Sequence, residues 1–423
     1  MAGLLQARLP ELALDEVPDP RAREGRWSLA QILRATLLGL MTGCRSLAET
    51  ETLTDSLAPA VRWRLGLPRR LADTTARDAL CRVSIDGLRA ALHRAVHAAS
   101  RRKALAPVGL PFGVVALDGK VTAVPAINQP LVQTQHPEVG LPFGLIRTVT
   151  AALVSARGRP CIDAIPIPAT TNEVGFFQTA FRELLAVHGA LFDLVSYDAG
   201  GFSRTNADAV VAAGKHYLFA LKDETRAMCR LADELLVTEP VLTRTTDKLR
   251  SGVIVTRSIR LLRADPSWSY GEGKGPGESV WPHAGTFLSV ESLTTRDGEV
   301  IAQDDRMYVT SLDLDRLTPA QWLLLVRRHW GVENQCHHTL DTVFAEDTRP
   351  WIEADPQGTL AVLLLRRVAL TLLGLYRAVT LRSKKRRATP WKRLLQSLRD
   401  ALVAATEAQL AGLRLRGLPA ATR

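Results

Sequence analysis

The 423-residue chain carries 54 Lys+Arg against 43 Asp+Glu, a formal net charge of +11, with 46% hydrophobic and 23% charged residues. That composition excludes wholesale disorder, and an excess built on 45 arginines to 9 lysines favours a polyanionic partner whose phosphates it would neutralise. The five cysteines are odd in number and contain no C-x-x-C pair, which argues against a zinc ribbon or disulfide framework and for a reduced, cytoplasmic setting. No uncharged apolar run reaches the ~18 residues of a membrane span, and early acids at Glu11, Asp15 and Glu16 speak against a signal peptide.

Residues 1–105 read as helical, with 17 Lys/Arg against 11 Asp/Glu. Residues 27–43 place apolar side chains at helical spacing behind a Ser28 cap, 47–57 form a second helix, and a start at Asp73-Thr74-Thr75 leads into one helix over 76–99. Arg62, Arg64, Arg69, Arg70 and Arg77 gather about the Gly66-Leu67-Pro68 turn. Either a DNA-binding helical module or a helical cap with a solvated basic face fits them.

The character changes at Pro107. Residues 112–118 form a short apolar strand ending in Asp118, and 143–156 and 160–167 are the next strands. An amphipathic helix follows over 172–188, then a strand over 191–197 that ends at Asp198, a helix over 204–213 and a strand over 216–221 that ends at Lys222. The order β-β-β-α-β-α-β predicts an α/β fold. An antiparallel meander is extended by right-handed crossovers into a mixed sheet with helices on both faces. Asp118 and Asp198 then stand at strand ends, where open α/β sheets form their sites.

Residues 223–316 read as a β-rich insertion with a helix over 226–236, strands over 253–262, 286–293 and 306–312, and a glycine-rich loop at 270–277. Thr318-Pro319-Ala320-Gln321 then supplies a cap, a proline at the first helical position and a capping-box glutamine. The helix it opens is expected to run past Glu333 to at least Leu340. Further helices cover 359–377 and 390 onward, and between Arg366 and Arg393 there are ten Lys/Arg and no acid, most densely at 382–387. Three segments result: a helical N-terminal domain over 1–105, a catalytic domain over 106–350 with the insertion at about 223–316, and a basic helical C-terminal region over 351–423.

The spacing of Val326, His329, Glu333 and His337 by three, four and four puts a carboxylate between two imidazoles on one helical face. An acid facing a core from an amphipathic helix needs a partner or a metal. Asp118 and Asp198 would complete a set of hard oxygen donors suited to Mg²⁺ or Mn²⁺ and not to Zn²⁺. Two such ions about 4 Å apart serve phosphodiester chemistry. A zinc site on Glu333 and His337 lacks a third soft ligand. Lys120 and Lys222, just past strand ends, are candidate phosphate contacts, as are His329, His337 and Asn334. Trp330 is either core packing or a stacking platform. Asp341, Glu346 and Asp347 form an acidic cluster expected to pair with Arg349. Lys384, Lys385, Arg386 and Arg387 are the strongest DNA-binding candidates outside the acids.

Leu117-Asp118-Gly119-Lys120, Tyr197-Asp198-Ala199-Gly200 and Arg327-Arg328-His329-Trp330-Gly331-Val332-Glu333-Asn334 resemble the signatures of bacterial insertion-sequence DDE transposases. The continuation through His337, His338, Asp341, Phe344, Glu346 and Asp347 is similar to the ISAs branch, also called H-repeat-associated proteins. Thr170-Thr171-Asn172-Glu173 stands where that branch has a Lys-Ser-Asn-Glu type motif. The resemblance implies an RNase H-like catalytic core with the β-rich insertion before the last acidic helix. It also implies a metal-binding triad of Asp118, Asp198 and Glu333. The reaction implied is hydrolysis at the element's end that frees a 3′-hydroxyl, followed by attack of that hydroxyl on target DNA. Its partners would be element ends and target DNA, with two chains bridging two ends, in the bacterial cytoplasm at the nucleoid and with no membrane. A degenerate or repurposed DNA-binding protein and a metal-dependent nuclease without strand transfer are the alternatives.

Overall fold

A computed structural model describes residues 2–21, 26–198, 203–221, 227–249, 251–265 and 283–412. Lys222 and the glycine-rich loop at 270–277 lie outside them.

Six helices open the chain: α1 (Ala2–Arg8), α2 (Leu29–Met41), α3 (Leu47–Ser56), α4 (Pro59–Arg64), α5 (Asp73–Leu80) and α6 (Ile85–Arg101). Ser28 caps α2 in a full capping box with Gln31, a device worth about 1 kcal/mol. The single helix expected over 76–99 is two. α5 stops at Leu80, and the Ser84 hydroxyl accepts from Gly87 N to start α6. The basic turn is partly neutralised, because Arg64 pairs with Glu407 at 2.9 Å and Arg70 with Glu51 at 3.4 Å.

Ten strands form one mixed sheet. They are β1 (Val114–Pro125), β2 (Val132–Gln135), β3 (Phe143–Leu153), β4 (Cys161–Ile167), β5 (Leu194–Tyr197), β6 (His216–Leu221), β7 (Thr243–Lys248), β8 (Val253–Arg263), β9 (Thr286–Arg296) and β10 (Glu299–Thr310). The order is β2-β3-β1-β5-β6-β10-β9-β8-β7, with β4 also on β3. β2 and β4 share the outer edge of β3 end to end, β2 on residues 143–146 and β4 on 147–152. β5 and β6 run parallel to β1, and the crossovers between them carry α7 (Glu173–His188) and α8 (Arg204–Ala212).

Two features differ from the sequence expectation. The first strand does not end at Asp118 but runs on to Pro125, because β3 pairs with it along that whole length. The β-rich insertion is no appendage. Its helix α9 (Ala227–Leu236) and strands β7 to β10 continue the sheet from β6, through the antiparallel pairing of Leu218–Leu221 with Met307–Thr310.

The remaining helices are α10 (Pro319–His329), α11 (His338–Thr342), α12 (Pro356–Leu375), α13 (Lys384–Arg387) and α14 (Trp391–Val403). Strand alternation divides the core between the two faces of the sheet. Val115, Leu117, Val195 and Tyr197 face α7, α12 and the N-terminal helices. Val114, Ala116, Leu194 and Leu218 face α10, with Trp322, Leu325 and Val326 against them. Apolar packing is thus continuous from the N-terminal helices through α12 into the sheet, across the segment boundaries at 105 and 351.

One helix, Pro356–Thr380, is long and apolar enough to cross a membrane by length and composition alone, although Arg366 and Arg367 interrupt its apolar run, and its apolar window is wholly buried in the fold. The two arginines within that window, Arg366 and Arg367, are accommodated there. Arg367 holds Glu346 at 2.8 Å with both side chains buried, and Arg366 donates to the Arg349 carbonyl. Arg366 and Arg367 therefore belong to the core and not to the exposed basic field.

Candidate active site

Parallel pairing brings the first two acids together. Leu117 stands opposite Tyr197 in the β1–β5 register, so Asp118 and Asp198 each follow the last paired residue, Asp198 being one residue past the end of β5. Alternation from Val114 and Ala116, and from Leu194 and Ser196, turns both toward the face that α10 covers. Glu333 comes from the segment after α10. Asp118, Asp198 and Glu333 line one cavity of 490 Å³, together with Lys120, His329, His337, Arg306 and Trp330.

The helix carrying Glu333 is not continuous. The Thr318–Gln321 capping box and Pro319 start α10 as expected, but α10 ends at His329, and residues Val332–His337 form a π-helical turn before α11. The wider turn breaks the spacing that would stack Glu333 and His337 on one face. Glu333 is exposed, whereas His329 and His337 are buried.

Each imidazole has a defined neighbour. His337 Nδ1 stands 3.1 Å from Asp118 Oδ2. Burial disfavours its charge, yet the Asp118 carboxylate outweighs that and raises its pKa above the ordinary imidazole value. Its Nε2 is buried without a hydrogen-bond partner. His329 Nδ1 lies 3.1 Å from Ser196 Oγ, two residues before Asp198. Trp330 donates its indole N–H to Tyr308 Oη at 2.9 Å, and the Arg306 guanidinium lies 3.9 Å over its ring.

Lys120 is bound to Asp341 at 2.7 Å and to Asp347 at 2.9 Å. The acidic cluster therefore takes Lys120 and, through Glu346, Arg367 as its partners, where Arg349 was expected. Asn334 is exposed and lines a neighbouring hollow. Lys384, Lys385, Arg386 and Arg387 make up the short α13, capped by Ser383, and none of them lines the acid cavity.

One acid stands beyond the triad. Glu173 opens α7 behind an Asn172 cap, and its carboxylate lies against Gly119, where an added Cβ would come within 2.3 Å of both oxygens. Gly119 is thus required for the close approach. Burial first, then the charges of Asp118 and Asp198, raise the Glu173 pKa. The cap and first-turn acid were visible in sequence, but the contact depends on strand parity at Gly119.

Oxygen donors of this kind suit a hard divalent ion. They do not converge: among the described residues no three or more His, Cys, Asp or Glu side chains are gathered so as to hold a metal ion.

No family model matches the chain, and no curated protein matches its sequence. Among solved structures it is similar to a piggyBac transposase in a synaptic complex with hairpin DNA, at 11% identity and a TM-score of 0.42, over 97% of this chain and 78% of that one.

Proposed function

We propose that the chain is a DDE-type DNA transposase of the ISAs kind, cleaving DNA at element ends and joining the freed 3′-hydroxyl to target DNA. The observation that carries this is that Asp118 and Asp198 directly follow the paired Leu117 and Tyr197 of parallel strands and line one cavity with Glu333. The strand order β4-β3-β1-β5-β6 supports an RNase H-like core.

To hold Mg²⁺ or Mn²⁺, the side chains of Asp118, Asp198 and Glu333 would have to draw closer together than they stand; the ion would then supply charge stabilisation to phosphodiester chemistry. His337 fixes the Asp118 carboxylate through its Nδ1 contact, which favours the charged form of the imidazole. Lys120 ties the mouth of β1 to Asp341 and Asp347 and so holds α11 against the cavity. The exposed Lys384, Lys385, Arg386 and most of the α13 surface would carry flanking DNA, with two chains bridging two ends.

The test is incubation of the purified protein with end-containing DNA and Mg²⁺. Nicks with 3′-hydroxyl termini and donor–target joints are expected, both lost in Asp118→Asn and in Glu333→Gln. Nicks without joints would leave a nuclease. The lack of a converged three-acid cluster favours a second reading, a DNA-binding protein without cleavage. Binding with no Mg²⁺-dependent product would establish that one.

A further inference from the structure

A second hollow, of 560 Å³, adjoins the acid cavity and shares Arg306, Trp330 and Glu333 with it. Its walls are α10 on one side and β8, β9 and β10 on the other, and five arginines line it: Arg159, Arg257, Arg306, Arg327 and Arg328. Three are held by carboxylates. Arg257 and Arg327 share Asp247 at 2.8 and 2.7 Å, and Arg306 takes Asp304 at 2.6 Å. The other two are not. Arg328 donates to the carbonyls of Val154 and Val108 at 3.3 and 3.4 Å, and its Nε is buried without a partner. Arg159 follows a tight turn and seats its side chain against Gly331, where an added Cβ would stand 3.5 Å from Nη1. Among the described residues neither Arg159 nor Arg328 has a carboxylate partner.

Crowded cations of this kind are costly when left alone. Burial, then the like charges of Arg328 and Arg327, pull the Arg159 guanidinium down to about 10. An arriving anion would relieve both effects. Guanidinium forks match the paired oxygens of a phosphate, and the Trp330 face is already covered by Arg306, so the free donors favour a backbone over a base.

We propose that this cleft holds the phosphodiester backbone of the DNA strand leaving the acid cavity, with Arg159 and Arg328 as its phosphate contacts. The proposal rests on the DNA reading above, although its test does not require cleavage.

The test is fluorescence anisotropy of a labelled oligothymidylate with the full chain, in EDTA and across a KCl series. Each lost contact to a single strand lowers the slope of log affinity against log salt by about 0.7. The Arg159→Ala/Arg328→Ala variant should therefore lose about 1.4 from that slope. Arg159→Lys/Arg328→Lys keeps the charges and should retain the slope. A wild-type slope in the alanine pair would overturn the cleft, and so would a lysine pair as flat as the alanine pair, because packing and not charge would then be responsible. Cleavage activity is read separately. If the wild type fails to cleave DNA but shows the slope change, the transposase reading fails and the cleft stands.

Discussion

Two carboxylates on the same sheet have opposite surroundings. Asp163 on β4 is fully buried and saturated: Arg89 grips both its oxygens at 3.0 and 2.9 Å, His93 Nε2 stands 3.1 Å away, and Ala164 N donates to it. Burial opposes its charge, but His93 and Arg89 prevail and hold its pKa well below the carboxylate range. Asp118 on β1 keeps about a quarter of its side chain exposed (27%) and has the single imidazole of His337 beside it. A structural acid has its charge answered inside the protein. An acid left partly unanswered at the mouth of a cavity is available to something that arrives.

The comparison can be broken most forcefully at Asp163. Asp163→Asn should cost about 3–5 kcal/mol in urea unfolding, since it leaves buried cations without their anion. Asp118→Asn should move the unfolding free energy by no more than about 0.5 kcal/mol and, on the proposed function, should lower DNA cleavage at least about a hundredfold. Equal stability losses in the two variants would erase the distinction.

The pH dependence sharpens it further. Burial, with the neighbouring His93, lowers the His188 pKa from 6.5 to about 3. The unfolded chain then binds the extra proton between those values and the folded chain does not, so stability should fall as pH drops through that interval. Asp163, lowered from its ordinary 3.8, adds a loss of the same sign at still lower pH. His337 acts the other way: its stabilisation is complete below pH 6.5 and is lost as pH rises through its raised value. Urea midpoints at pH 7 and pH 5 should differ less in His188→Asn than in the wild type. A modest effect is expected at Lys120. Lys120→Met should cost about 1 kcal/mol, because Asp341 and Asp347 are partly solvated and can rehydrate.

What the sequence discloses and what it hides follow from the range of the forces involved. Ser28 with Gln31 and Thr318 with Gln321 are legible because a cap is a bond between residues three apart. The strands around Asp118 and Asp198 are legible from apolar runs, and their pairing from the crossover rule. The extension of β1 to Pro125 is not, because only β3 decides it. The partners of Lys120 lie more than two hundred residues away. The π-helical turn at Val332–His337 leaves no mark in the composition of its six residues. The role of Gly119 appears only once Glu173 is folded against it.

The burial of α12 also bears on how the protein is made. α12 packs on α2, α6 and β4, so the opening helices meet their main apolar partner only when the chain has been synthesised past residue 375. During translation those early helices emerge first and wait with their apolar faces uncovered. The acid cavity cannot exist before Glu333 and His337 have left the ribosome. A half-made chain therefore has no acid cavity, and its core closes only once α12 has emerged.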